Sequence, residues 1–247
     1  MIRLSVNVNK VATLRNSRGG SVPRVLDAVA TCVVAGVHGI TVHPRADRRH
    51  ITPNDVRDIG QALADRRPAI EYNIEGDARP DLLALVHEVR PDQCTLVPVV
   101  PGEITSQAGW RAGAEADRLP TVIRELKAAG VRVSLFVDTT PESVDLAAAV
   151  GADRVELYTE PFARAHERGG LDATRSFHTF ASAARRAHAL GMGVNAGHDL
   201  DLENLLVFRD LPHLEEVSIG HAIISRALFM GLAEVVREYL DVLGPVL

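Results

Sequence analysis

The sequence predicts an α/β fold of the (β/α)8 TIM-barrel type, and three observations carry that expectation. Short apolar, β-branched runs alternate eight times with longer segments of helical period. No Pro- or Ser-rich linker and no shift in composition interrupts the alternation, so one catalytic domain over residues 1–247 is expected. The turn after the first strand, NVNKVATLRNSRGG, lacks the Gly-x-Gly-x-x-Gly of a dinucleotide-binding open sheet, the main competing arrangement of parallel strands.

In order, the strands are expected at residues 4–9, 39–44, 69–75, 93–99, 131–138, 154–160, 193–198 and 216–221. Helical segments are expected near 22–36, 53–65, 80–90, 118–129, 141–150, 173–190, 202–210 and 226–243. The opening MIRLSVNVNK has no apolar leader or cleavage site and reads as a mature first strand. ITPND makes Thr52 an N-cap, with Pro53 at the first helical position and Asp55 in the first turn. TTPES repeats the pattern with Thr140 and Pro141, and KAAGV, AVGAD and ALGMG place a glycine where helices end. In AIEYNIE, period 2 puts Glu71, Asn73 and Glu75 on one face, the barrel interior if Ile70, Tyr72 and Ile74 meet the helices.

A net charge of −5, a pI near 6.1 and 24% charged residues without a basic block argue against a nucleic-acid or anionic-membrane partner. No apolar run approaches the roughly 20 residues of a membrane span. Cys32 and Cys94 sit far apart in apolar contexts and predict buried free thiols in a cytoplasmic protein.

Chemistry in such barrels gathers at the C-terminal ends of the strands. There the sequence sets Asn7, Asn9 and Lys10, then His43 and Arg45 with His50 beyond them. Later strands add Glu156, Asn195, His198, Gly220 and His221. So many ionisable groups in strands that pack against helices call for a functional reason. A carboxylate inside a barrel is costly unless paired or catalytic, and its displaced pKa suits a general base. His43-x6-His50 does not fit one helix face, and HxH, HExxH and cysteine pairs are absent, so no metal is expected. Two stretches suit phosphate: LRNSRGGS, with Arg15, Arg18 and the Gly19 and Gly20 amides, and SIGHAIISRA, with Gly220 and His221 opening a helix. Together they point to a substrate with two phosphates or to two phosphorylated substrates. Lys10, one of two lysines against twenty-five arginines, reads as a Schiff-base nucleophile, a phosphate ligand or a solvated charge.

VNVNKVATLRNSRGG, GITVHPRADRRHIT, LVPVVPGEITSQAGW, VSLFVD, VNAGHDL and SIGHAIISRA together resemble the pyridoxine 5′-phosphate synthase family, in the same order over nearly the whole chain. The resemblance implies condensation of 3-amino-2-oxopropyl phosphate with 1-deoxy-D-xylulose 5-phosphate to pyridoxine 5′-phosphate, phosphate and water, without a cofactor. By motif, His43 resembles the proton acceptor, Glu71, taken ahead of Glu75 on the same face, the strand-3 base, His198 the proton donor and Glu156 a transition-state stabiliser. Arg45, His50 and Thr105 would hold the deoxyxylulose phosphate; Asn7, Arg18, Gly220 and His221 would hold the aminoketone phosphate. Asn9, Lys10 and Asp199 join them as substrate-binding candidates at positions where the family pattern reads Asp, His and Gly. Tyr158 to Glu160 likewise replaces His-Thr-Gly. The resemblance also implies a homo-oligomer, up to an octamer, with the Arg18 loop reaching a neighbouring site. Because the substrate brings its own amine, Lys10 is expected to act as an electrostatic ligand. A metal-free barrel isomerase or aldolase using Lys10 covalently, and a non-catalytic phosphate-binding regulator, are the competing readings.

Overall fold

The computed structural model describes residues 1–99, 106–113 and 116–244. The first half runs β1 (Arg3–Asn7), α1 (Asn9–Asn16), α2 (Val25–Ala35), β2 (Gly39–Val42), α3 (Pro53–Leu63), β3 (Glu71–Gly76), α4 (Pro80–Val89) and β4 (Gln93–Leu96). The second half runs α5 (Leu119–Ala128), β5 (Arg132–Val137), α6 (Pro141–Ala149), β6 (Arg154–Leu157), α7 (Glu160–Arg168), α8 (Gly170–Ala189), β7 (Gly193–Ala196), α9 (Leu202–Phe208), β8 (Leu214–Ile219), α10 (His221–Met230) and α11 (Leu232–Leu243). The strands pair in parallel in sequence order and β1 also pairs with β8, so the sheet closes into an eight-stranded barrel. This is the (β/α)8 architecture the alternation predicts.

Period 2 divides the strand residues between two environments. Leu4, Val6, Ile40, Tyr72, Ile74, Cys94, Val133 and Val217 are buried against the helix layer. Tyr72 shows the direction: its hydroxyl donates to the Val56 carbonyl of α3 at 3.0 Å. The alternate positions fill the interior with polar groups instead of the branched aliphatic side chains usual in such barrels. Ser5 and Thr41 hydroxyls lie 2.7 Å apart, Asn73 Nδ2 reaches Thr41 Oγ1 at 3.4 Å, and Thr95 Oγ1 donates to Asn73 Oδ1 at 3.2 Å. These four side chains each find a partner on the next strand, which makes this part of a hydrophilic interior tolerable.

Local signals account for the helix starts. Thr52 Oγ1 accepts from Asp55 N while Asp55 Oδ2 accepts from Thr52 N, a complete capping box, and Thr140 Oγ1 accepts from Ser143 N. Cys32 and Cys94 are both buried and free, with burial pushing each thiol up to about 12. Among the described residues no helix is long and apolar enough to cross a membrane.

Three segments depart from expectation. The first strand ends at Asn7, and Asn9–Asn16, expected as strand end and phosphate loop, is helix α1. The Arg18 and Gly19 amides are used in its terminal turn, donating to Arg15 O and Asn16 O. α7 occupies residues expected as strand end and loop. The last helical segment starts early, at His221, and breaks in two at Gly231, whose φ of +87° no helix accommodates.

Candidate active site

A cleft of about 600 Å³ opens at the C-terminal ends of the strands, where barrel chemistry is expected. Most of the sequence-predicted residues line it: Asn7, Asn9, Lys10, His43, Arg45, His50, Glu156, His198, Asp199, Gly220 and His221. Two of the others, Arg18 and Glu71, are not brought there. Thr105 lies outside the described residues. Arg18 is exposed in the turn after α1 and is not part of the lining. Glu71 lies at the opposite mouth of the barrel.

Glu71 opens β3, so the interior position it occupies is the deepest of the three on that strand. Its carboxylate pairs with Arg132 Nη2 at 2.6 Å and Arg3 Nη2 at 3.6 Å. Together with Gln93 and Glu216 these groups form an ion-pair floor. Arg132 Nε donates to Gln93 Oε1 at 3.0 Å, and Arg3 Nε lies 3.8 Å from Glu216. Four residues later, Glu75 reaches the cleft. The structure thus brings Glu75 rather than Glu71 to the cleft: period 2 identifies the face of a strand, not the depth along it.

Glu75 accepts a hydrogen bond from Asn7 Nδ2 at 3.3 Å, and its Oε2 is 3.9 Å from His43 Nδ1. Burial raises its carboxyl well above the usual range, and the nearby charges of Glu156 and Glu216 add to the shift. On β6, burial pushes Glu156 up to about 7, opposed by His198 and by a hydrogen bond from Thr95. Burial thus favours the protonated form of both interior carboxyls.

The histidines are displaced oppositely. His43 is buried and lowered to about 3, first by burial and then by His50, Arg45 and Arg79; its Nε2 is buried with no hydrogen-bond partner. Its main-chain N–H donates to Asn9 Oδ1 at 2.9 Å, so Asn9 positions the His43 backbone from the first turn of α1. His50 is lowered to about 4 by burial, with Lys10 and Arg45 contributing. His50 Nδ1 accepts the Ile51 N–H at 2.9 Å, which puts the proton of the neutral ring on Nε2 as a donor.

α1 holds this side of the cleft together. Arg15, read from sequence as a phosphate ligand, instead pairs with Asp55 of α3, Nη2 to Oδ2 at 2.9 Å. Asn16 Nδ2 donates to the His50 carbonyl at 2.9 Å. These bonds fix the loop carrying Arg45 and His50 beside Lys10. Arg49, within the RADRRH run, adds to the cationic side, and Arg164 on α7 lines the cleft near Asp199; neither was singled out from sequence. Arg164 could not be placed before α7 was recognised as a helix.

On the other side, His198 follows β7. Its ring meets Tyr158 edge-on with centroids 5.3 Å apart and lies 6.4 Å from Phe136. His198 Nδ1 is 2.8 Å from Asp199 Oδ2. Next to it, α10 starts at His221 with no side-chain cap, so its first-turn N–H groups remain available to an anion. Gly220 lets this helix start close against β1: a Cβ there would stand 2.9 Å from Asn7 O and 3.0 Å from Asn7 Cβ. Among the described residues no group of three or more His, Cys, Asp or Glu is arranged to hold a metal ion.

The site therefore combines a helix N-terminus, a cationic loop and two acid–base clusters. Residues 4–244 match the family model described as "Pyridoxal phosphate biosynthesis protein PdxJ". The chain is 48% identical over 245 residues to the pyridoxine 5′-phosphate synthase of Porphyromonas gingivalis, covering 99% of this chain and all of that protein. It is 51% identical over 250 residues to the enzyme of the same name from Xanthomonas oryzae pv. oryzae, covering 98% and 96%. Among solved structures, phosphoribosyl anthranilate isomerase from Thermotoga maritima superposes with a TM-score of 0.61 at 14% identity, covering 98% of both chains, and at that identity shares the fold alone.

Proposed function

We propose a reaction for this cleft on the premise that the chain belongs to the PdxJ family of pyridoxal phosphate biosynthesis proteins, whose relatives are pyridoxine 5′-phosphate synthases. In this reading the enzyme condenses 3-amino-2-oxopropyl phosphate with 1-deoxy-D-xylulose 5-phosphate. The amine adds to the ketone and water leaves as the imine forms. Loss of a proton beside the imine starts the enolisations through which phosphate leaves from C5 of the sugar partner and water adds in its place. A carbon–carbon bond then closes the ring, and loss of two further waters leaves the aromatic pyridine.

The aminoketone phosphate rests on the first-turn N–H groups of α10, with Gly220 letting the helix start close against β1 and Asn7 and His221 beside it. The phosphate of the sugar partner takes the cationic side, formed by Arg45, the His50 Nε2–H and Lys10. Thr105 is assigned to the same subsite by motif. Lys10 is exposed at the rim and serves as a charge, since the amine that enters the product belongs to the substrate.

Proton transfers divide between the two clusters. Burial and the charges of Glu156 and Glu216 favour the protonated form of Glu75; the ammonium of the incoming aminoketone favours its ionised form and lets it take the amine's proton. His43, neutral at pH 7, accepts at Nε2, and a bound phosphate dianion raises its basicity. His198 donates to departing oxygen, with Glu156 compensating the charge that develops. The observation carrying this reading is that two carboxyls with raised pKa values and two histidines line a cleft flanked by two anion cradles.

Arg18, exposed away from its own cleft, is assigned to the site of a neighbouring copy in a homo-oligomer of up to eight chains. A cytoplasmic location is part of this reading, supported by the two buried free thiols of Cys32 and Cys94. The test is turnover: His43→Ala and Glu75→Gln should each lower kcat at least 100-fold while both substrates still bind. Near-normal turnover in both variants would remove the acid–base assignment.

A further inference from the structure

We propose that Asp199 is a positioning residue for His198, its carboxylate holding the imidazole with the proton on Nδ1 and Nε2 directed to the substrate. The inference rests on the assignment of His198 as proton donor.

Asp199 has a φ of +63°, in the left-handed region where a Cβ crowds the backbone and where glycine is the residue without strain. A strained non-glycine residue beside a catalytic histidine needs a reason. Its side chain supplies one: Oδ2 lies 2.8 Å from His198 Nδ1. The main chain around the pair is fixed from both sides. Asn204 Nδ2 donates to the Asp199 carbonyl at 3.1 Å, and the Thr159 hydroxyl donates to the His198 carbonyl.

Ordinary structural duties for Asp199 are taken by other residues. The helix that follows, α9, is capped by Asp201, whose Oδ1 accepts from Glu203 N and Asn204 N at 2.9 Å. The Asp199 side chain is 40% exposed, so it fills no core position. The His198 contact lowers its carboxyl below the usual range, with Arg164 and His221 adding to the effect, so the group facing Nδ1 is a carboxylate. Around the imidazole stand Asp199 on its own loop and Glu156, Tyr158 and Phe136 from the barrel, while His221 and Arg164 from the flanking helices act on the Asp199 carboxylate.

A carboxylate accepting from Nδ1–H selects one tautomer of the neutral ring and leaves Nε2 as the exchanging nitrogen. In the protonated ring, Nε2–H passes its proton to the departing oxygen. The ring returns to neutral with Nδ1–H still on Asp199.

The backbone strain makes a clean test possible. Asp199→Gly removes the carboxylate and relieves the positive φ. We expect Tm unchanged or raised, kcat lowered about 10- to 100-fold, KM within about threefold, and partial recovery of kcat by added formate. The full loss in a buried Asp–His–nucleophile triad reaches about 10⁴ when Asp becomes Asn, and a half-exposed pair should give less. Asp199→Asn should lose at least tenfold in kcat, because the amide can donate to Nδ1 and select the other tautomer. His198→Gln run in parallel separates the two claims. If His198→Gln retains turnover, the proton-donor reading falls and this inference with it. If His198→Gln is inactive but Asp199→Gly keeps kcat within twofold, the inference alone is overturned. A loss in Asp199→Gly that tracks a lower Tm and ignores formate overturns it as well.

Discussion

Exchanging the two carboxylates of β3 for amides should separate stability from catalysis. Glu71 is 5% exposed and sits 2.6 Å from Arg132 and 3.6 Å from Arg3, so Glu71→Gln leaves two guanidinium groups facing an uncharged amide. Breaking a buried pair costs about 3–5 kcal/mol. The two arginine side chains are 38% and 32% exposed, and water can reach them, so about 2–3 kcal/mol is the expected loss. For a chain of this size that corresponds to a fall in Tm of roughly 5–10 °C. Turnover should stay within about threefold of wild type, because Glu71 faces the far mouth of the barrel. Glu75→Gln should do the reverse. Burial favours its neutral form, so the amide is nearly isosteric with the group it replaces, and stability should change by under about 1 kcal/mol. The loss of a proton-transfer group should lower kcat about 10²- to 10⁴-fold. Calorimetry and steady-state kinetics on both variants provide the assay. A Glu71→Gln protein that is inactive with unchanged Tm, beside an active Glu75→Gln, would refute the placement of the base.

Three further outcomes follow from the same geometry. Glu156 titrates near 7 in the folded protein and at 4.5 as a free side chain, so the unfolded chain loses that proton first as pH rises. Its contribution to stability is therefore present below 4.5 and declines toward 7, by about 3 kcal/mol in all. Denaturant titration should show Glu156→Gln gaining on wild type by that amount between pH 4.5 and 7.5, and a constant difference across pH would contradict the shift. Gly220→Ala places a Cβ 2.9 Å from Asn7 O, and should cost about 1–3 kcal/mol while raising KM for the aminoketone phosphate at least tenfold; an unchanged KM would remove the helix N-terminus from the phosphate site. Lys10→Ala should raise KM for a phosphorylated substrate about five- to tenfold with kcat within threefold, whereas complete loss of turnover with binding intact would restore the covalent role for Lys10.

Much of the frame was legible because strand and helix periods are local properties. The face carrying Glu71, Asn73 and Glu75 followed from alternation, and Thr52 and Thr140 marked helix starts that the hydrogen bonds bear out. Depth was not legible. Which of two glutamates reaches the cleft depends on strand register, such as Asn73 opposite Thr41, which alternation within one strand does not encode. α1 was hidden by the Arg- and Gly-rich composition that follows it, and Arg15 turned from ligand to strut once Asp55 lay beside it. α7 was hidden because Glu160 and Pro161 look like a strand end, although proline suits the first turn of a helix. The break at Gly231 could have been read from FMGLAE. Asp199 stood out in sequence only as a departure from a glycine pattern, and its 2.8 Å contact with His198 gives that departure a physical use.

The central claim is that this cleft closes a pyridine ring from two phosphorylated substrates. Its most direct test incubates the purified protein with 3-amino-2-oxopropyl phosphate and 1-deoxy-D-xylulose 5-phosphate and follows pyridoxine 5′-phosphate by absorbance and mass alongside released phosphate. The account predicts product and phosphate in equal amounts, without added metal or cofactor. Binding of both substrates with no pyridoxine 5′-phosphate formed would contradict it.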